Sequence, residues 1–69
     1  MSHSPTTAKN IVVTALQKSG YTDNSRILSA RYVCTTWSGA KKYEITFIGD
    51  EGERDTGYVY IDADGKGEY

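Results

Sequence analysis

Lys42-Tyr43-Glu44-Ile45-Thr46-Phe47-Ile48 alternates without a break. Tyr43, Ile45 and Phe47 point one way, and Lys42, Glu44 and Thr46 the other. Successive side chains of a strand leave on opposite faces, so this pattern predicts a half-buried β-strand. Gly57 to Ala63 repeats it: Val59, Ile61 and Ala63 face inward, while Tyr58, Tyr60 and Asp62 face outward. Between the two runs lies an acidic loop, Gly49 to Thr56, with two glycines. Asp64-Gly65 is a turn signal, and Lys66 to Tyr69 can add a short fourth strand. On the N-terminal side, Arg26 to Trp37 is rich in β-branched and aromatic residues, and Ser38-Gly39-Ala40 closes a hairpin. Its inward face stays open, because Leu28, Ala30, Tyr32 and Cys34 share one parity and Ile27, Val33 and Trp37 the other.

Upstream the period changes. Ala8, Ile11, Val12, Ala15 and Leu16 follow the i, i+3, i+4, i+7, i+8 spacing of one helical face. Ser4 is placed to cap this helix and Pro5 to begin it, where a missing N–H costs nothing. Gly20 after Lys18 and Ser19 ends it. The helix is expected over roughly residues 5–18, after a flexible segment 1–4. The fold class is therefore α+β: one N-terminal amphipathic helix packed on a three- to four-stranded antiparallel β-meander, forming one domain over 1–69. The expected core is Ile11, Val12, Ala15, Leu16, Ile45, Phe47, Val59 and Ile61.

Sixty-nine residues hold a small core. A chain this short buries only about 60% of the surface its unfolded form exposes, so function is expected on the surface rather than in a deep pocket. No apolar run approaches the ~18 residues needed to span a bilayer. Residues 1–10 lack the charged start and apolar stretch of a signal peptide. Cys34 is the single cysteine, which rules out an internal disulfide and a cysteine-based metal cluster. A cytoplasmic protein that contacts no membrane is expected.

Net charge is −1, but its distribution is uneven. Residues 1–43 hold Lys9, Lys18, Arg26, Arg31, Lys41 and Lys42 against Asp23. From Glu44 onward there are eight acids against Arg54 and Lys66. A fold that keeps these halves apart makes the molecule electrically bipolar.

Several segments together resemble the PepSY domain. They are the alanine-bearing helix with Ala8 and Ala15 followed by Gly20, the strand Tyr43-Glu44-Ile45-Thr46-Phe47, and the strand and turn Tyr58-Val59-Tyr60-Ile61-Asp62-Ala63-Asp64-Gly65-Lys66. The resemblance runs from Thr7 to Lys66. The chain departs from the family in lacking a threonine before Gly65 and an export signal. What the resemblance implies is a non-enzymatic module that restrains or regulates a partner protein.

Catalytic chemistry finds few carriers. His3 is the only histidine, and nothing in residues 1–4 can hold it against a nucleophile. Cys34 sits mid-strand, where a lone cysteine is usually a small core residue, and no lysine or histidine adjoins it in sequence to lower its pKa. Asp62-x-Asp64-Gly65 is similar to the start of a calcium loop, but its glycine comes too early and the glutamate is missing. Gly49-x-x-Gly52 lacks the lysine and helix of a phosphate loop. The acids read as loop or exposed strand, without the cleft a carboxylate pair needs. No catalytic residue, cofactor or metal is expected.

The sheet has two faces and one helix, so one face should stay open and present Tyr58 and Tyr60 with Thr46 and Glu44. The first expectation is a protein-binding inhibitory or regulatory module. Trp37, Tyr58 and Tyr60 anchor the partner, because aromatic side chains supply most interface energy. Asp50, Glu51, Glu53 and Asp55 steer a basic partner surface. The open face could equally pair with its copy in a homodimer. By analogy of size alone, accessory inhibitors encoded by phages and mobile elements are comparable. The second expectation is nucleic-acid binding through Arg26, Arg31, Lys41 and Lys42. It is weakened by the absence of a basic second helix and by tyrosines that lie in the acidic half.

Overall fold

The computed structural model describes residues 5–69, with side chains from Thr7 onward. The Ser4 cap, His3 and the flexible segment 1–4 lie outside the described residues. One helix, α1 (Pro5–Lys18), precedes four strands, β1 (Ile27–Thr35), β2 (Lys41–Ile48), β3 (Arg54–Ile61) and β4 (Gly67–Glu68). The strands form one antiparallel sheet in the order β1-β2-β3-β4. This is the α+β meander expected from the sequence.

α1 ends where the glycine stands. Gly20 has φ +97°, and its N–H donates to the Gln17 carbonyl at 3.1 Å. The Tyr21 N–H donates to the Leu16 carbonyl at 3.0 Å. These two bonds close a Schellman motif, which satisfies carbonyls the helix itself leaves open. The buried stripe is Ala8, Val12, Ala15 and Leu16. Ile11 is only partly buried and packs at the edge of that stripe.

α1 packs mainly on β1 and also reaches β4 and β3. The approach to β4 is close: a Cβ on Gly67 would lie 3.1 Å from the Ala15 Cβ and 3.2 Å from the Leu16 nitrogen. A small residue on each side is what lets helix and strand meet. Ile27, Ala30, Tyr43, Ile45, Val59 and Ile61 complete the core from the sheet side.

Two bulges explain why β1 could not be read by parity. Its register against β2 shifts between Ile27 and Ser29, and again between Tyr32 and Cys34. Each shift sets an extra residue against the partner strand and resets the alternation. Ile27 pairs with Phe47, Ala30 with Ile45 and Tyr32 with Tyr43. All three belong to the helix-side face although their spacing is irregular. The rings of Tyr32 and Tyr43 meet edge to face at 5.6 Å. Leu28 and Val33, at the bulges, are exposed.

Several expectations need correction, that of Ile11 as a core residue among them. Phe47 is half-buried rather than core; it sits in the sheet row with Ile27 and Asp55, near the end of β2. Cys34 is exposed, because the second bulge places it opposite Lys42 and off the core face. β3 begins at Arg54, since the β2–β3 hairpin closes at Gly49 and Glu53. It ends at Ile61, so Ala63 is exposed in the turn that follows. Finally, β1 stops at Thr35, which puts Trp37 in the β1–β2 turn.

Candidate functional site

The face of the sheet away from α1 is built by register. Val59 and Ile61 are buried under the helix, so their neighbours Tyr58 and Tyr60 must leave on the opposite side. They are 46% and 39% exposed. Tyr58 lies across from Glu44, and Tyr60 across from Lys42. The Lys42 Nζ stands 4.3 Å from the Tyr58 ring centroid and 5.8 Å from that of Tyr60, in cation–π geometry. Arg31, one strand further, donates from Nε to Glu44 Oε1 at 2.9 Å. Cys34 and Thr46 fall on the same face by register. No described element covers it.

Trp37 is fully exposed. The turn that carries it is tight: the Gly39 N–H donates to the Thr36 carbonyl at 2.9 Å and the Thr36 N–H to the Ala40 carbonyl at 2.7 Å. Gly39, at φ +90°, supplies the left-handed residue that such a turn needs. Trp37 is thus held off the sheet at the Lys41 end of β2, beyond the Tyr60 row.

The acidic residues are placed differently. Asp50, Glu51 and Gly52 form the β2–β3 turn at the Ile48 end of β2. Eight residues of strand separate the two ends by about 24 Å. The structure therefore does not bring Trp37 and the acidic loop onto one patch. Most of the acids also have local work. Asp50 accepts from Arg26 Nη1 at 2.6 Å, Glu53 accepts from the Glu51 N–H at 3.0 Å, and Asp55 accepts from the Thr56 N–H at 3.1 Å. Glu51 is the one acid of the four whose carboxylate has no partner among the described residues.

The basic candidates separate in the same way. Arg26 lies beside the Ile48 end, and Lys41 at the opposite end. Arg26 and Arg31 are both engaged by carboxylates from the acidic half. The bipolar expectation is corrected by these pairs: antiparallel neighbours interleave the basic and acidic segments.

Asp62 Oδ1 accepts from the N–H groups of Asp64 and Lys66 at 2.9 and 3.0 Å, so it organises a turn. Among the described residues, no three His, Cys, Asp or Glu side chains converge. Asp23 is held below the ordinary carboxylate range, chiefly by the Ser25 hydroxyl and then by the Ser25 N–H.

A feature the sequence did not announce lies on the helix side. Ile27, Ile45, Phe47 and Gly57 floor an open apolar cavity of about 550 Å³, rimmed by Asp23, Asn24, Arg26, Tyr58 and Tyr69. Phe47 there is only partly buried, and Gly57 contributes no side chain.

No family model matches the chain, and neither a curated protein nor a solved structure matches it. No described helix is long and apolar enough to cross a membrane.

Proposed function

We propose that this chain is a non-catalytic module that binds another protein through the open face of its sheet, in an inhibitory or regulatory role. The observation that carries this reading is the pair Tyr58 and Tyr60, exposed side by side on a face that no described element covers, with Lys42 lying against their rings. Amphipathic aromatics of this kind lose little entropy on docking and offer both apolar area and a hydroxyl. Lys42 orders the tyrosines beforehand, which lowers the cost of fixing them in an interface. Trp37 adds an anchor at the β1–β2 end. A partner that also reaches the β2–β3 turn meets Glu51. Binding to nucleic acid is disfavoured by the engagement of Arg26 and Arg31 with Asp50 and Glu44.

The test is the double variant Tyr58→Ser with Tyr60→Ser. Both side chains lie off the core, so melting should stay cooperative. Binding to the partner, or pairing of the face with its own copy, should be lost, since anchoring aromatics cost about 2 kcal/mol or more each on truncation. Sedimentation separates the two outcomes. Oxidative crosslinking through Cys34, on the same face, would trap a face-to-face dimer. A folded double variant that keeps both associations unchanged overturns the reading.

A further inference from the structure

β4 is two residues long and pairs only with Tyr60 and Ile61 of β3. β3 begins six residues earlier, at Arg54. From Arg54 to Val59 its outer edge therefore has no neighbouring strand among the described residues. The direction of its backbone groups follows from the hydrogen bonds at the two hairpins. The Gly49 N–H donates to the Glu53 carbonyl at one end of β3, and the Asp62 N–H donates to the Lys66 carbonyl at the other. In an antiparallel ladder the bonded residues alternate, so Asp55, Gly57 and Val59 address β2 while Arg54, Thr56 and Tyr58 address the free edge. The Thr56 N–H agrees with this: its partner is the carboxylate of its own neighbour, Asp55 Oδ1, at 3.1 Å.

This edge is well suited to pairing. β3 runs against β2 without a register shift from Arg54 to Ile61. The opposite edge of the sheet, β1, carries two bulges, which are a common means of blunting an edge. The β3 edge also borders the apolar cavity, through Gly57 and Tyr58. A residue paired opposite Gly57 would project to the helix side, over Phe47 and Ile45. Gly57 leaves that space open; a Cβ there would only touch the Phe47 ring, at 3.4 Å. The charges near this end favour a cation. Asp55, on the edge, forms no ion pair among the described residues, and Asp23, on the cavity rim, feels Arg26 without an ion pair to it, since that guanidinium is bound to Asp50.

We propose that the outer edge of β3 from Arg54 to Tyr58 is a β-augmentation site. It takes an extended segment of a partner protein that continues β4, seats one apolar side chain in the cavity over Phe47 and Gly57, and carries a flanking lysine or arginine. Main-chain bonds to Arg54, Thr56 and Tyr58 supply the affinity, and the cavity supplies the preference for an apolar residue at alternate positions. The incoming strand takes over the Thr56 N–H from Asp55 and frees that carboxylate for the cation.

The probe is a displayed library of linear peptides of about six residues, the usual strand length. It is selected on the whole protein and counter-selected on Gly57→Val, which fills the cavity with a good strand former. Enriched peptides, synthesised singly, should alternate apolar residues and carry a flanking base. They should shift the amide signals of Arg54, Thr56 and Tyr58 and slow exchange of their N–H groups. Affinity should fall on the order of tenfold in Gly57→Val and in Thr56→Pro, whose nitrogen donates no ladder bond to β2. Tyr60→Ser, on the other face, should leave affinity unchanged. If Gly57→Val melts early, Thr56→Pro carries the comparison. No enrichment over the counter-selection overturns the proposal. So do peptides that perturb Lys42 and Tyr60 instead, and so does an edge that pairs with its own copy in sedimentation. The two readings share Tyr58, and Tyr60→Ser separates them, because Tyr60 stands on the open face while its backbone is already paired with β4.

Discussion

Phe47 and Leu16 show how a residue's contribution follows its place rather than its type. Both are large and apolar, and the alternation of β2 makes Phe47 look like a core residue. Leu16 is fully buried between helix and sheet, whereas Phe47 is half-buried at the rim of the cavity. Deleting buried methylene groups removes transfer energy and leaves a void, but deletion at an open cavity leaves no sealed void. Leu16→Ala should therefore cost about 3 kcal/mol, within the ~2–5 found for buried leucines. Phe47→Ala should cost only about 1–2 kcal/mol, the transfer of a half-buried ring. Urea unfolding of the two variants checks the order. The reverse order would mean that α1 covers the Phe47 end of the sheet. Tyr58 and Tyr60 were legible at this scale, because a period of two leaves no choice of face once Val59 and Ile61 are inside.

At the scale of elements, β1 is the strand whose register the sequence left open. Its two parities are both partly apolar because the strand contains two extra residues, not because it is buried on both sides. Tyr32 faces Tyr43, and Cys34 faces Lys42, with Val33 inserted between them. Removing Val33 would join residues already in register with β2. Deletion of Val33 should leave a cooperative fold with the Tyr32–Tyr43 contact intact. Deletion of Ala30, a buried residue opposite Ile45, should shift the register and turn the apolar set outward. Thermal melts followed by near-ultraviolet circular dichroism separate these outcomes. Loss of cooperativity on removal of Val33 would show that the bulge is needed for the fold. Bulges of this kind are hard to read ahead, since the extra residue satisfies no local pattern of its own.

The whole molecule is held by one core and has little electrostatic reserve. The Arg26–Asp50 pair is solvent-exposed on both sides and the Arg31–Glu44 pair on its arginine side; such pairs contribute only about 0–1 kcal/mol. The clearer pH dependence comes from Tyr43. Burial raises its hydroxyl above the ordinary 10.0, with Tyr32 adding to the shift. Between the unfolded and folded values, the folded chain keeps a proton that the unfolded chain has lost. The contribution is complete below pH 10 and is lost as pH rises beyond it. Stability measured by urea should be level just below pH 10 and decline above, and Tyr43→Phe should lessen that decline. A variant with the same alkaline slope as the parent would place the effect elsewhere. Tyr69, raised chiefly by burial beside Tyr21, is the next candidate.

The helix over 5–18, the meander and the face on which Tyr58 and Tyr60 stand could be read from the chain alone. Each of these depends on local periods and on turn residues such as Gly20, Gly39 and Asp64-Gly65, which act over a few neighbours. Packing of the whole chain, by contrast, decided that Arg26 and Arg31 would be neutralised by Asp50 and Glu44, that Trp37 and Glu51 would stand at opposite ends of β2, and that Phe47 would floor a cavity. It also decided that β4 would leave most of the β3 edge unpaired. These are relations between residues distant in the chain. Strand register, the two bulges and the reach of one short helix set them, and no local pattern encodes how far a helix extends over the sheet beneath it.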